Sequence, residues 1–162
     1  MKKNKQPLIL VLYPNTYGLG FLICESPQKI IDFGIYKIRP FSKAKYLKKV
    51  EKLMDFCKPE IVLLLDYKSK VSKRQRTLLQ MIKKTIKAKN LKVHSYSRSQ
   101  IKEVFSSFKA STKFEIASLI IKWYPQLKRI APHKRLPWGA EHYQMAVLDC
   151  FALMLSHNYL TE

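Results

Sequence analysis

Carboxylates are scarce in this sequence. Eleven Asp and Glu stand against 31 Lys and Arg in 162 residues, a formal net charge of +20. A surplus of that size on one small protein calls for a polyanionic partner or a membrane surface. Membrane-surface binding concentrates charge on one amphipathic helix or tail. Here the cations run along the whole chain, so nucleic acid is the better match.

Long apolar runs are also missing. Leu8 to Tyr13 and Ile61 to Leu65 are among the longest, far below the ~20 residues of a membrane span. Lys2, Lys3 and Lys5 precede the first run as in a signal peptide, but it stops at Pro14-Asn15 with no small-residue cleavage site behind it. The expected location is the cytoplasm. Cysteine is sparse, at three residues. Cys24, Cys57 and Cys150 form no Cys-x-x-Cys pair, which excludes a disulfide framework and a zinc knuckle. What is abundant is apolar material, 47% of residues. That is enough for a folded core and too much for a disordered chain. The length fits one domain over residues 1–162.

The pattern along the chain reads βββ-α-β-α-β-α-α-α. Leu8–Tyr13, Gly18–Cys24 and Ile30–Ile38 form a meander of three strands bounded by Pro and Asn turns. Gly18 and Gly20 lack the third glycine of a phosphate loop and lie inside a strand pattern. Residues 42–57 and 73–89 carry apolar stripes at helical spacing. Between them Glu60 to Asp66 is a continuous apolar run ending in a carboxylate, the mark of a strand buried on both faces. Leu91–Tyr96 is a fifth strand, Gln100–Phe105 a short helix, and Thr112 with Glu115 a capping box for the next helix. Residues 125–139 read as a proline-rich basic loop, and a last helix runs from Ala140 to His157. The fold class is α/β, a mixed five-stranded sheet flanked by helices.

Two of the eleven acids stand out. Asp66 ends the buried strand, where α/β sheets open into sites. Asp149 lies in the apolar stretch MAVLDCFALML, where an unpaired carboxylate is costly. A strand-end cap explains Asp66, and a buried pairing with Arg or Lys, or a polar edge of the helix, explains Asp149. Taken together in a basic chain, the two acids also fit a divalent-metal nuclease site, because carboxylates hold the Mg²⁺ ions that drive phosphodiester cleavage.

The strand–helix order, the stretch Tyr96-Ser97-Arg98-Ser99-Gln100-Ile101-Lys102 with Lys109-Ala110-Ser111-Thr112-Lys113, and the ending Asp149-Cys150-Phe151-Ala152 together resemble the RuvC-type Holliday-junction resolvases, a branch of the ribonuclease H-like fold. The resemblance implies junction DNA as substrate, Mg or Mn as cofactor, a homodimer, and four acidic positions. Asp66 matches the one on the fourth strand and Asp149 the second on the last helix. Tyr13 and Ala146 stand at the other two. Tyr is neutral at pH 7 and Ala offers no ligand. His142, two turns before Asp149, and Asn15 are substitute donors. This set suits at most one weakly held Mg or Mn ion.

Twelve Lys and Arg and no acid lie between Tyr67 and Lys102. Lys68, Lys70, Lys73, Arg74, Arg76 and Arg98 belong to that stretch, and Lys134 and Arg135 add cations beside Trp138. Lys102, Lys109 and Lys113 match the basic segment of the resemblance, with phosphate contact as the implied role. Three readings follow. The first is a structure-selective nucleic-acid-binding protein with impaired catalysis. The second is an active Mg-dependent junction endonuclease with a non-standard ligand set. The third is an RNA- or ribosome-associated factor on the same fold.

Overall fold

The sheet is built around β1 (Ile9–Pro14), whose six residues are buried or nearly so. The computed structural model describes residues 7–15, 17–67, 72–130 and 144–161. β1 pairs antiparallel with β2 (Gly18–Ser26), which pairs antiparallel with β3 (Lys29–Lys37). On its other side β1 pairs parallel with β4 (Ile61–Asp66), and β4 parallel with β5 (Lys92–Ser97). The order is β3-β2-β1-β4-β5, the mixed five-stranded sheet that the hydropathy pattern predicts.

Alternation along the central strands divides the core into two layers. Leu10, Leu12, Val62 and Leu64 face helices α1 (Lys43–Cys57) and α2 (Lys73–Ala88). Val11, Tyr13, Leu63 and Leu65 face the opposite layer. That layer is made by α3 (Arg98–Ser106), α4 (Lys113–Trp123) and α5 (Met145–Thr161). Twelve of the seventeen residues of α5 are buried, against β1 and β2 on one side and α3 and α4 on the other. An all-round apolar helix is a core helix, and none of the described helices is long and apolar enough to cross a membrane.

Two glycines shape this packing. A Cβ on Gly18 would lie 1.9 Å from the carbonyl oxygen of Tyr36, and one on Gly20 would lie 2.8 Å from the Cβ of Ala146. The Gly-x-Gly of β2 is therefore a packing device that lets β3 and α5 approach β2. Cys24, Cys57 and Cys150 are free thiols. Burial raises all three, Cys24 to about 12 and Cys57 to about 11, which makes them poor nucleophiles.

Local signals place most helix starts correctly. Ser42, Ser72, Ser97 and Thr112 cap α1 to α4, each accepting a bond from the backbone N–H three residues on. The capping box is at a different place from the one the sequence predicts. At Thr112 the hydroxyl caps the helix, but the Glu115 carboxylate is taken by the Ser111 and Thr112 hydroxyls. The reciprocal box forms at Ser97 and Gln100, and it starts α3 at Arg98, two residues earlier than the apolar stripe predicts. Pro125–Ile130, expected as loop, is a 3-10 helix. α5 continues to Thr161, past the predicted end at His157. The start predicted at Ala140 lies outside the described residues.

Candidate functional site

β1, β4 and β5 end at the same edge of the sheet, at Pro14, Asp66 and Ser97. Carboxyl ends of parallel strands are where open α/β sheets hold their sites. Tyr13, the last α5-facing residue of β1, is 7% exposed and looks toward α5. Asp149, on the second turn of α5, is 4% exposed. The capping box at Ser97 directs Arg98 into the space between them.

Arg98 joins the two. Its Nη1 lies 2.9 Å from Asp149 Oδ1, and its Nη2 donates to the Tyr13 hydroxyl at 2.6 Å. Lys113, the first residue of α4, brings its Nζ to 3.6 Å from Asp149 Oδ2. One carboxylate thus has a cation on each oxygen. The network extends through Tyr67. Tyr13 is hydrogen-bonded to the Tyr67 hydroxyl, which donates to the carbonyl of Pro14 at 3.1 Å. Burial raises the Tyr67 phenol well above its ordinary value. The Asp149 charge adds to this, while Arg98 and the bond with Tyr13 work against it. For Arg98, burial disfavours the charge, but Asp149 and Tyr13 outweigh burial and its pKa ends above the ordinary arginine value. Tyr67 is therefore neutral, and Arg98 is a permanent cation.

Asp66 does not join this group. Leu63 and Leu65 face α5, so the pleat turns Asp66 to the other side of the strand end. Tyr67, the next residue, reaches Pro14 and Tyr13 instead. Ala146 is buried against β2, where the α5 backbone passes Gly20. Asn15 spends its side chain on the backbone N–H groups of Tyr17 and Gly18 at 2.8 and 3.0 Å.

The donor set can be tested against a divalent ion. Two Mg²⁺ ions held close together need several anionic oxygens, beyond the one or two carboxylates that suit a single ion. Here Asp149 carries two cations, the Tyr13 hydroxyl is hydrogen-bonded to Arg98, and Asp66 faces away. Among the described residues no group of three or more His, Cys, Asp or Glu is placed to hold a metal. These residues do not fit a two-metal centre. His142 lies outside the described residues.

The other predicted contact residues fall at several places on the surface. Lys73, Arg74 and Arg76 are exposed on the first turn of α2. Lys102 is exposed one turn into α3, and Lys109 sits in the turn after it with a left-handed backbone, φ 61°. Lys68, Lys70, Lys134 and Arg135 lie outside the described residues, as does Trp138. All four capped helices have a cation directly after the cap, namely Lys43, Lys73, Arg98 and Lys113. A cation there opposes the helix dipole, at a cost of about 0.3–1 kcal/mol each. Arg98 and Lys113 meet the Asp149 carboxylate in return, whereas Lys43 and Lys73 have no carboxylate partner among the described residues. Tyr67 and the cations at positions 39, 43 and 49 escape a reading based on motifs. Tyr67 was open to strand parity, since a residue after Asp66 must face the α5 side.

No family model and no curated protein matches the sequence. Solved structures do. The chain is similar to RuvC of Thermus thermophilus at TM-score 0.66 and 14% identity, over 95% of each chain. It is similar to T. thermophilus RuvC in complex with Holliday junction substrate at TM-score 0.67 and 16% identity, over 95% of this chain and 94% of that one. The yeast mitochondrial Holliday junction resolvase Ydc2 aligns at TM-score 0.60 and 9% identity, over 93% of this chain and 78% of that one. The chain has the ribonuclease H-like fold of the RuvC-type Holliday junction resolvases.

Proposed function

We propose that this protein is a structure-selective nucleic-acid-binding protein on the RuvC fold, that it grips branched DNA through phosphate contacts, and that its cleavage centre is disabled. The observation that carries the proposal is the pairing of Asp149 with Arg98 and Lys113. At a position where the resemblance calls for a metal-binding carboxylate, the protein supplies its own cations. A guanidinium holds an anion in place, but it lowers no water pKa and generates no hydroxide, which is the part a metal plays in cleavage. Any Mg or Mn ion must displace Arg98 or Lys113 and so binds weakly.

Lys73, Arg74, Arg76, Lys102 and Lys109 would contact phosphates on the arms, together with Lys68, Lys70, Lys134 and Arg135. Such contacts set affinity and register without reading sequence. Selectivity for branched DNA then comes from the spacing of basic patches, doubled if the chain forms the homodimer that the resemblance implies.

The test is binding of a labelled four-way junction and of its linear arms, titrated against salt, with and without a chelator. Affinity for the junction should exceed that for the arms, fall steeply with salt at about 0.9 per phosphate neutralised, and be unchanged by the chelator. RNA versions of the same probes distinguish DNA from RNA. A flat salt dependence, or binding that vanishes with the chelator, overturns the proposal.

A further inference from the structure

Cations in this protein are held in two different ways. Arg98 and Lys113 are held by a buried carboxylate, and Lys89 is held by Asp55 at 2.9 Å. In each case the pairing consumes charge. Three other cations on the α1–α2 side of the sheet are anchored by aromatic rings instead. The guanidinium of Arg39 lies 4.3 Å from the centre of the Tyr17 ring, Lys49 Nζ 4.7 Å from the Tyr36 ring, and the guanidinium of Arg74 4.9 Å from the Phe41 ring.

The rings are themselves fixed. Tyr36 stacks on Phe21 at 5.2 Å, and Phe41 packs on Tyr46 at 5.3 Å. Tyr46 is fully buried and donates its hydroxyl to the carbonyl of Asn15, in the turn that carries Tyr17. The backbone of Tyr17 accepts from Ile38 at 3.0 Å, which places the residue before Arg39 against the same turn. One hydrogen-bonded and stacked framework therefore presents all three cations. None of the three is in an ion pair among the described residues. A ring face orders a cation without neutralising it, so these keep their full charge for an outside anion. Arg39 and Arg74 are exposed, Lys49 is half-buried, and the exposed Lys45 and Lys48 lie beside them on α1.

We infer that Arg39, Lys49 and Arg74, presented on Tyr17, Tyr36 and Phe41, form a second phosphodiester-binding surface that contacts the backbone of a nucleic-acid duplex outside the Asp149 cluster. This rests on the nucleic-acid reading above and says where the uncompensated charge lies. Three ordered cations of one sign with no acid in their pairs fit a polyanion of regular spacing. The Asp149 cluster keeps one net positive charge from its two cations, so it contributes less to salt-dependent affinity than two free cations would.

The experiment measures the salt dependence of binding to a 30-base-pair duplex, as DNA and as RNA, for the wild-type chain, for R39Q/K49Q/R74Q, and for the control K89Q. The triple variant should lose about three units of slope, one per phosphate contact, and more than tenfold in affinity at physiological salt. K89Q should match the wild type. The duplex whose slope falls identifies DNA or RNA as the source of the phosphates. If the wild-type slope is steep and the triple variant keeps it, this surface is wrong while the nucleic-acid reading stands. If the wild-type slope is flat, that reading fails first. In the unaltered chain, Lys49 should be protected from acetylation when duplex is bound. Equal acetylation in free and bound protein would contradict the proposal whether or not the triple variant folds.

Discussion

Arg98 is the residue on which the site turns. It links β1 to α5 by bonding Tyr13 and Asp149 at once, and it is ordered by a capping box one residue earlier. Breaking a buried ion pair by removing one partner leaves a charge without compensation, at about 3–5 kcal/mol. Arg98→Ala should therefore lower unfolding stability by that amount, because Lys113 at 3.6 Å cannot replace two hydrogen bonds. Replacing both partners by apolar residues, Arg98→Met with Asp149→Leu, should recover part of the loss, since the desolvation cost of these two charges disappears and Lys113, with a 35% exposed side chain, can turn to water. Denaturant unfolding of the two single variants and the double variant measures this as a cycle. An Arg98→Ala variant as stable as the wild type would show that the pair is not what holds this corner together.

At the scale of elements, α5 is fastened to the sheet at both ends by different chemistry. Near its start the contact is close packing, Ala146 against Gly20. Near its end it is polar. His157 is 7% exposed, bonds the Tyr96 hydroxyl through Nδ1 at 2.5 Å, and faces His94 of β5 with ring centres 5.2 Å apart. Burial lowers the His157 pKa, and the neighbouring His94 lowers it further. In the unfolded chain a histidine titrates near 6.5. Below that pH the unfolded state binds a proton that the folded state resists, so stability is fully present above about pH 6.5 and falls as pH drops from there toward the depressed folded value. Thermal unfolding should show a larger drop between pH 7.5 and pH 5.5 in the wild type than in His157→Gln, which keeps a polar partner for Tyr96 without titrating. Equal drops would assign the acid sensitivity to other groups.

Across the whole molecule, the sheet and its two layers follow from hydropathy alone. The buried run at Ile61–Asp66 fixes a central parallel strand, and the apolar stripes of α1 and α2 fix their inner faces. The convergence at Asp149 does not follow from hydropathy. Its partners sit on α3 and α4, and no local pattern states that two helix starts meet over the second turn of a third helix. Buried pairing with Arg or Lys was one of the readings open to Asp149 from its apolar surroundings, but the partner's identity needed the fold. Asp66 is the reverse case. Its position at a strand end was legible, and so in principle was its direction, because the alternation of Leu63 and Leu65 fixes the parity. The charge surplus was legible as a sum, while its division into cations spent on carboxylates and cations displayed on aromatic rings depends on contacts between distant residues.

A protein that binds junctions without cutting them behaves differently from a resolvase in one assay. A labelled four-way junction, saturated with the wild-type chain and then given Mg²⁺ or Mn²⁺, should remain bound and intact through hours of incubation. Nicks that appear with the wild type and vanish with Asp66→Asn would contradict the account, because they would require Asp66 to act in a metal centre that the pairing of Arg98 with Asp149 leaves no room to build.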